Sequence, residues 1–247
     1  MEKVLNMLKN VCDDFVFWGR IMPVITLLFP IVICGIIKGY ITENKVNGAL
    51  YGGVVVLSLV LMQKIARRLG KYLEKKIYDE FGAKPTTIVL RYSDSTIDVI
   101  TKTRYHKYIN EKIEGMNLPL TADDENDSSD SFYESVMVYL RKYANSNREP
   151  EQRVYQDLKE YNYWRNIYGC KWVAVIIYAI IALREIYLID NFSVKRMISN
   201  FYPTYATLIL MLFSIILVCA VVNKKIVKQR AFEYAKSLAE TCERFVV

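Results

Sequence analysis

Residues that build common catalytic and metal sites are scarce in this 247-residue sequence. His106 is the only histidine, and the five cysteines include no CxxC pair. A zinc site and a disulfide framework are therefore not expected. Gly-rich phosphate loops, GxSxG and HExxH motifs do not occur either. We predict that the chain is not an enzyme and binds neither a metal nor a cofactor.

Long apolar runs are what the sequence has instead. Apolar residues make up 53% of it, and they concentrate near the two ends. A membrane helix needs about 20 predominantly apolar residues. Four stretches approach this length: 21–37, 46–62, 172–189 and 205–222. They predict an all-α membrane protein, with four transmembrane helices in two hairpins that flank a helical cytoplasmic domain.

Positive charge sets the expected orientation. Clusters of lysine and arginine follow the second and fourth stretches, whereas the loop within each hairpin carries two basic residues. Such clusters mark the cytoplasmic side and favour anionic lipid headgroups over duplex nucleic acid, so both termini are expected in the cytoplasm. The predicted division is 1–62 for the N-terminal hairpin, 63–171 for the cytoplasmic domain, 172–222 for the C-terminal hairpin and 223–247 for a cytoplasmic C-terminal helix.

Helical spacing of apolar residues fills most of the middle region. It predicts helices at 63–81, 97–114, 128–144 and 151–167. The first continues from the second span and ends at Gly82, and the last leads into the third span. The run 86–90 is short enough to form either a helix or a strand. The acidic stretch 121–130 lacks the EF-hand spacing and is expected to be a solvated loop or a helix N-terminus.

Two clusters of charged and aromatic residues could contact an anion. Cationic and aromatic side chains alternate in 102–107, which is either a solvated helix face or an anion-binding surface. Residues 162–166 fit an aromatic belt at the membrane interface. Alternatively, Arg165 could reach inward to Asp94 or Asp98.

Arg184 and Glu185 lie within the third apolar stretch. Charges at membrane depth cost several kcal/mol unless they face water, protein or each other. Either the span ends near Leu183 and both charges lie at the outer interface, or they line a pore or an outer vestibule of an oligomer. Adjacent residues point about 100° apart on a helix, so at most one of them can face a central axis.

Three short motifs resemble a known family. They are Leu90-Arg91-Tyr92-Ser93-Asp94, then Thr101-Lys102 with Arg104-Tyr105-His106, and then Asn162-Tyr163 with Arg165, Asn166 and Gly169. The third motif is one residue shorter here than in the family's pattern. With this architecture, the chain is similar to membrane effectors of bacterial anti-phage defence, such as the channel subunit of the Hailong system.

The resemblance implies an oligomeric ion channel of the bacterial inner membrane. Its gate would respond to a nucleotide or oligonucleotide made by a partner nucleotidyltransferase, and ion flux would depolarise an infected cell. The implied ligand contacts are Arg91, Lys102, Arg104, His106 and Arg165. The alternative is a non-conducting scaffold that is anchored in the lipid bilayer and recruits a cytoplasmic partner.

Overall fold

The computed structural model describes residues 14–42, 47–126, 128–190 and 194–246. It describes side chains within 14–38, 61–126, 128–189 and 203–244. All regular secondary structure in this part of the chain is helical, which confirms the all-α prediction. The helices are numbered α1 to α8 in chain order.

The first helix, α1, contains a π-helical turn near its start. It consists of Asp14–Val16, the π turn Phe17–Ile21 and the longer segment Met22–Thr42. A π turn pairs residues five apart, so it interrupts the regular bonding of the helix and leaves a carbonyl open to another donor. Pro30 lies inside the third segment, as membrane helices tolerate.

The second helix, α2, spans Asn47–Phe81 without a break. Gly82 follows it with φ 75°, the left-handed conformation of a helix C-cap, as the sequence predicted. The predicted second span, 46–62, lies almost entirely outside the residues whose side chains are described. The backbone nevertheless confirms that the helix predicted at 63–81 continues from that stretch.

Three short or medium helices follow in the middle of the chain. The run that could have been helix or strand is helical: α3 spans Pro85–Ile88, with proline in the first turn, where its missing N–H costs nothing. Helix α4 spans Val99–Lys112, two residues shorter at each end than predicted. Its N-cap is Asp98, whose Oδ1 accepts the Thr101 N–H at 2.8 Å. Helix α5 spans Ser129–Ser146.

The last three helices are long and closely spaced. Helix α6 spans Gln152–Asp190, so the predicted continuity between the middle region and the third span is confirmed. Helix α7 spans Val194–Val221 and α8 spans Lys224–Glu240. The 3₁₀ segment Thr241–Val246 follows α8.

Two compact units divide the chain. The apolar unit comprises Met1–Leu73 and Tyr163–Lys224, and the polar unit comprises Glu74–Asn162 and Lys225–Val247. Helix α8 therefore shares a unit with the middle of the chain, whereas the sequence-based division set 223–247 apart. Helices α2 and α6 each contribute to both units.

In the apolar unit, α6 is apolar on its buried face and on its exposed face alike. The buried stripe recurs every three or four positions: Ile167, Cys170, Ala174, Tyr178 and Ala182. The exposed stripe consists of Trp172, Ile176, Ile180, Leu183 and Tyr187, each at least 58% exposed. A helix in water carries polar residues on its outer face. An apolar outer face is expected of a helix that meets lipid.

Three helices in the described part of the chain are long and apolar enough to cross a membrane. They are Asp14–Lys38, Gln152–Ile189 and Pro203–Val221. They contain or overlap the predicted first, third and fourth spans. The prediction of a membrane protein is thus confirmed at the level of helices that can span a bilayer.

The polar unit has a core of its own, built from α4, α5, α8 and the turn after α3. Residues without exposed surface include Val89, Leu90, Tyr133, Val136, Leu140, Ala235, Leu238 and Cys242. Close packing of these side chains gives the unit the rigidity to hold polar groups in fixed positions.

Candidate functional site

Three of the five predicted ligand contacts, Arg91, Lys102 and His106, come together beside α4. Lys102 and His106 are four residues apart, so they share the buried face of that helix. The Lys102 ammonium donates to the carbonyl oxygens of Arg91 at 2.5 Å and Asp94 at 2.6 Å. Burial lowers the pKa of Lys102, and the charge of Asp94 acts in the opposite direction. Lys102 therefore ties the turn after α3 to α4.

Arg91 forms an ion pair with Asp130 at the start of α5. Its Nε donates to Oδ1 at 2.8 Å and its Nη2 donates to Oδ2, so two parallel hydrogen bonds join the groups. These hydrogen bonds raise the pKa of Arg91. A ligand anion would have to compete with Asp130 for the guanidinium.

His106 is fully buried between two tyrosine rings. Its ring centroid lies 5.3 Å from that of Tyr92 and 5.4 Å from that of Tyr133. Nδ1 lies 2.7 Å from the Pro119 carbonyl and so donates to it, while Nε2 has no hydrogen-bond partner. Burial lowers the pKa of His106, which keeps the imidazole neutral at pH 7. In this conformation His106 is a core residue without access to a ligand.

Glu125, from the acidic stretch, faces the same cluster. Its carboxylate accepts the Tyr92 backbone N–H at 3.2 Å and the Tyr133 hydroxyl at 2.7 Å. Burial raises the pKa of Tyr133, and the hydrogen bond to Glu125 adds to that effect. The stretch expected to be a solvated loop or a helix start therefore supplies two carboxylates, Glu125 and Asp130, to internal contacts.

Arg104 lies on the opposite face of α4 and has a different partner. Two residues from both Lys102 and His106, it points about 200° away from them around the helix. Its Nη2 donates to Glu243 Oε1 in the C-terminal segment at 2.7 Å, and its side chain remains 47% exposed. Among the four predicted contacts in the polar unit, Arg104 is thus the most accessible.

Arg165 belongs to the apolar unit and is buried there. Its guanidinium lies 3.4 Å from Asn166 Oδ1, and Asn166 Nδ2 donates to the Gly19 carbonyl at 2.7 Å. That carbonyl lies in the π turn of α1 and is satisfied by this bond. In the polar unit, Asp94 accepts the Thr96 N–H and Asp98 accepts the Thr101 N–H, so both carboxylates bind within local turns.

Helices α2 and α6 touch at two glycines of the apolar unit. A Cβ added to Gly169 would lie 2.6 Å from the Gly70 nitrogen, closer than real Cβ contacts allow. A Cβ on Gly70 would lie 2.5 Å from Asn166 Oδ1. Glycine at both positions therefore lets the two backbones approach each other directly.

Glu185 is buried and binds Lys38, whereas Arg184 is exposed. Glu185 has no accessible surface, and its Oε1 accepts the Lys38 ammonium and Arg184 Nη1, the latter at 3.0 Å. The Arg184 side chain is 62% exposed. The expectation that adjacent residues cannot share one face is confirmed. Both charges lie before the end of α6, since the helix continues to Asp190.

Two further buried polar side chains, Cys34 and Thr207, lie beside the Lys38–Glu185 pair. Thr207 and Lys38, together with Glu185, surround the Cys34 thiol. Glu185 Oε2 is buried and makes no hydrogen bond, and the buried Thr207 hydroxyl contacts the Cys34 thiol. Unpaired buried oxygens are costly, so a polar cluster retained inside an apolar unit is a candidate functional site.

Helices α1 and α6 run in the same direction. Gly19 pairs with Asn166 near the start of both helices, and Lys38 pairs with Glu185 further along. The two pairs have the same sequence separation, 147 residues. Because the separation is the same for both pairs, a step toward the C-terminus of α1 matches an equal step toward the C-terminus of α6.

No group of three or more histidine, cysteine or carboxylate side chains in the described ranges could hold a metal ion. What the polar unit offers is hydrogen-bond donors: a partly exposed guanidinium, phenol hydroxyls and a buried ammonium. Such groups bind carboxylate or phosphate oxygens. In this conformation each of these donors binds an acceptor within the chain.

Sequence reasoning did not single out Lys38, Glu243 or the Gly70–Gly169 contact. Each depends on a partner far away in the chain, and helical periodicity carries no information about such partners. One signal was available for Lys38. Lys38 directly follows the first apolar run, and a carboxylate, Glu185, lies within the third.

No protein-family model, curated protein or solved structure matches the chain.

Proposed function

We propose that the chain is an oligomeric ion channel of the bacterial inner membrane, gated by an anionic nucleotide or oligonucleotide, and an effector of antiviral defence. The observation that carries the proposal is the continuity of two helices. Helices α2 and α6 each pass without a break from the apolar unit into the polar unit. Rigid helices of this kind can carry a change at a ligand site into membrane spans.

Contacts between α2 and α6 support a coupled movement. In the polar unit, Glu74 Oε1 accepts the Tyr78 hydroxyl at 3.0 Å and the Tyr161 hydroxyl at 2.9 Å. In the apolar unit, the backbones meet at Gly70 and Gly169. The two helices are thus joined in both units and are expected to move as a pair.

The parallel run of α1 and α6 supports four spans in two hairpins. If both helices cross the membrane in the same direction, the chain between them must cross back. The one long apolar stretch between them is 46–62, at the start of α2. With α7 as the fourth span, both termini and the polar unit lie on the cytoplasmic side, as the basic clusters favour.

Of Arg184 and Glu185, Arg184 is the better pore or vestibule candidate. Glu185 is enclosed within the chain and neutralised by Lys38, so it faces no axis in this conformation. Arg184 is exposed beside the apolar outer stripe of α6. An oligomer with α6 at its centre would place Arg184 near the outer mouth.

Among the predicted contacts of the polar unit, Arg104 is the most accessible to a soluble anionic signal. Its guanidinium is partly exposed, and guanidinium groups bind phosphate through two hydrogen bonds. Lys102 and His106 lie on the buried face of the same helix, and Lys102 binds the Arg91 carbonyl. The signal would come from a partner nucleotidyltransferase, and duplex nucleic acid is not the proposed ligand.

Planar-bilayer recording of the purified chain tests the channel. We expect discrete conductance steps whose open probability changes when a nucleotide or short oligonucleotide is added. A protein that inserts but never conducts under any of these ligands would refute the channel and favour the membrane scaffold.

Growth after induced expression in bacteria tests the ligand-contact residue. Arg104→Gln is expected to alter toxicity without loss of membrane insertion. Arg153→Gln is the matched control, because Arg153 is an exposed arginine that also pairs with the C-terminal part of the chain. Equal toxicity of both variants and the wild type would remove Arg104 from the ligand site.

A further inference from the structure

The C-terminal segment places a carboxylate on Arg104. Arg104 Nη2 donates to Glu243 Oε1 at 2.7 Å, and the Tyr105 hydroxyl donates to the same oxygen at 3.2 Å. Burial raises the pKa of Tyr105, and the charge of Glu243 adds to that effect, so the phenol stays protonated and donating at neutral pH. Two donors from consecutive residues thus converge on one anionic oxygen.

The residues on either side of Glu243 fix its position. Cys242 has no exposed surface, and burial raises its pKa to about 12. Arg244 Nη1 lies 3.1 Å from Glu151 Oε1 and also donates to the Pro150 carbonyl. The carboxylate is therefore held in place by a buried residue before it and an ion pair after it.

The contact itself is open to solvent. The Arg104 and Glu243 side chains are 47% and 50% exposed. Exposed ion pairs contribute little to stability, so a solute anion can displace Glu243 at small cost. Exposed Lys107, one helical turn beyond Arg104, adds positive charge on the same side of α4.

We propose that Arg104 and Tyr105 form a phosphate subsite that Glu243 occupies when no ligand is bound. The C-terminal segment is then a tethered competitor that lowers the affinity for phosphate groups. The inference rests on the proposed function, because it names how the anionic ligand of that proposal would be admitted. It concerns binding alone and needs no ion flux to be tested.

Pyrophosphate binding to the full-length chain in neutral detergent tests the subsite by calorimetric titration. Glu243→Gln removes the competing charge and is expected to tighten binding about fivefold, the order that an exposed ion pair supplies. Glu134→Gln is the matched control, since Glu134 is exposed to a similar degree and pairs with Lys84 instead, and should bind as the wild type does. Adding Arg104→Gln to Glu243→Gln should abolish binding.

Three results would overturn the proposal: equal affinity of wild type and Glu243→Gln, binding that survives Arg104→Gln, or no saturable binding by any variant up to about 10 mM. Circular dichroism establishes that each variant is folded. If Glu243→Gln is not, Glu243→Asp withdraws the carboxylate by one methylene and should shift affinity in the same direction.

A lipid headgroup could supply the same phosphate chemistry. Titrations in nanodiscs of phosphatidylcholine, with and without phosphatidylglycerol, separate the sources. We expect the same pyrophosphate affinity in both, as a soluble ligand requires. Weaker binding with phosphatidylglycerol would show that the headgroup competes, and would overturn the soluble source. A chain that binds as expected but never conducts would refute the channel and leave the subsite intact.

Discussion

At the scale of single residues, the buried charges of this chain are each bound by specific partners. Lys102 and Glu185 have no exposed surface, and each is bound to groups that offset the cost of leaving water. Removing one partner from such a contact costs more than the contact contributes, because the other partner stays buried. Substitutions at these positions should therefore affect stability strongly.

Lys102→Met is expected to destabilise the chain by about 2–4 kcal/mol, since it leaves two backbone carbonyls without their charged donor. Lys107→Met on the same helix is the control: Lys107 is exposed and should change stability by no more than about 0.5 kcal/mol. Thermal unfolding of the detergent-solubilised chain measures both. Similar melting temperatures for the two variants would contradict a structural role for Lys102.

His106 should make stability depend on pH. Burial lowers its pKa, so the unfolded chain takes up a proton first as the pH falls below about 6.5, and stability is lost there. The slope from one such group is at most about 1.4 kcal/mol per pH unit. Lys102 and Glu125 also act on the imidazole, from α4 and from the acidic stretch.

Melting temperatures of the wild type and His106→Gln between pH 7.5 and 5 test this dependence. The wild type should lose more stability on acidification than the variant does. Burial raises the pKa of Glu151, which works in the opposite direction, but that contribution is common to both proteins. Parallel pH profiles would show that His106 is protonated as easily in the folded chain as in the unfolded one.

The Lys38–Glu185 pair should contribute more to the stability of the folded chain than the neighbouring Arg184 does. Lys38→Met leaves the buried carboxylate with Arg184 alone, and we expect a loss of about 3 kcal/mol. The double variant Lys38→Met with Glu185→Gln should recover much of it, because no unpaired charge remains. Arg184→Gln is the control. If Lys38→Met melts at the temperature of that control, the pair contributes nothing.

At the scale of helices, the crossing of α2 and α6 depends on glycine. Gly169→Ala places a methyl group 2.9 Å from the Gly70 Cα and should cost about 1–3 kcal/mol or separate the helices. Gly35→Ala is the control, because nothing lies within 4 Å of the added methyl. Thermal unfolding of the Gly169→Ala and Gly35→Ala proteins in detergent compares their stability. A Gly169→Ala protein as stable as Gly35→Ala would mean that the helices do not meet there.

Helices were more predictable than their contacts. Apolar periodicity and caps located α2, α4, α5 and α6 to within about two residues at most ends, since these signals are local. Helix α4 was predicted to begin at residue 97 rather than 99, because the segment 93–96 and Asp98 both carry side chains that can cap a helix. Arg91, Lys102 and His106 were predicted as ligand contacts through the family resemblance. Their internal partners, Asp130 and Pro119, come from segments that no local pattern connects to them.

At the scale of the whole molecule, the four-span arrangement makes a direct prediction about sidedness. Alkaline phosphatase fused after residue 44 or 192 should be active, because the proposed topology puts both hairpin loops outside the cytoplasm. Fusions after Gly115 or at the C-terminus should be inactive, and a cytoplasmic reporter should show the reverse pattern. Phosphatase activity after Gly115 would exclude a cytoplasmic polar unit.

The π turn of α1 has a consequence for biosynthesis. Its Gly19 carbonyl is bonded by Asn166, which lies 147 residues later in the chain. Ribosomes add about 5–20 residues per second, so roughly 7–30 s pass before Asn166 is even synthesised. During that interval the carbonyl must bond to water, a headgroup or the insertion machinery. The nascent protein therefore passes through a stage in which the Gly19 carbonyl of α1 lacks its partner, because α6 has not yet been synthesised.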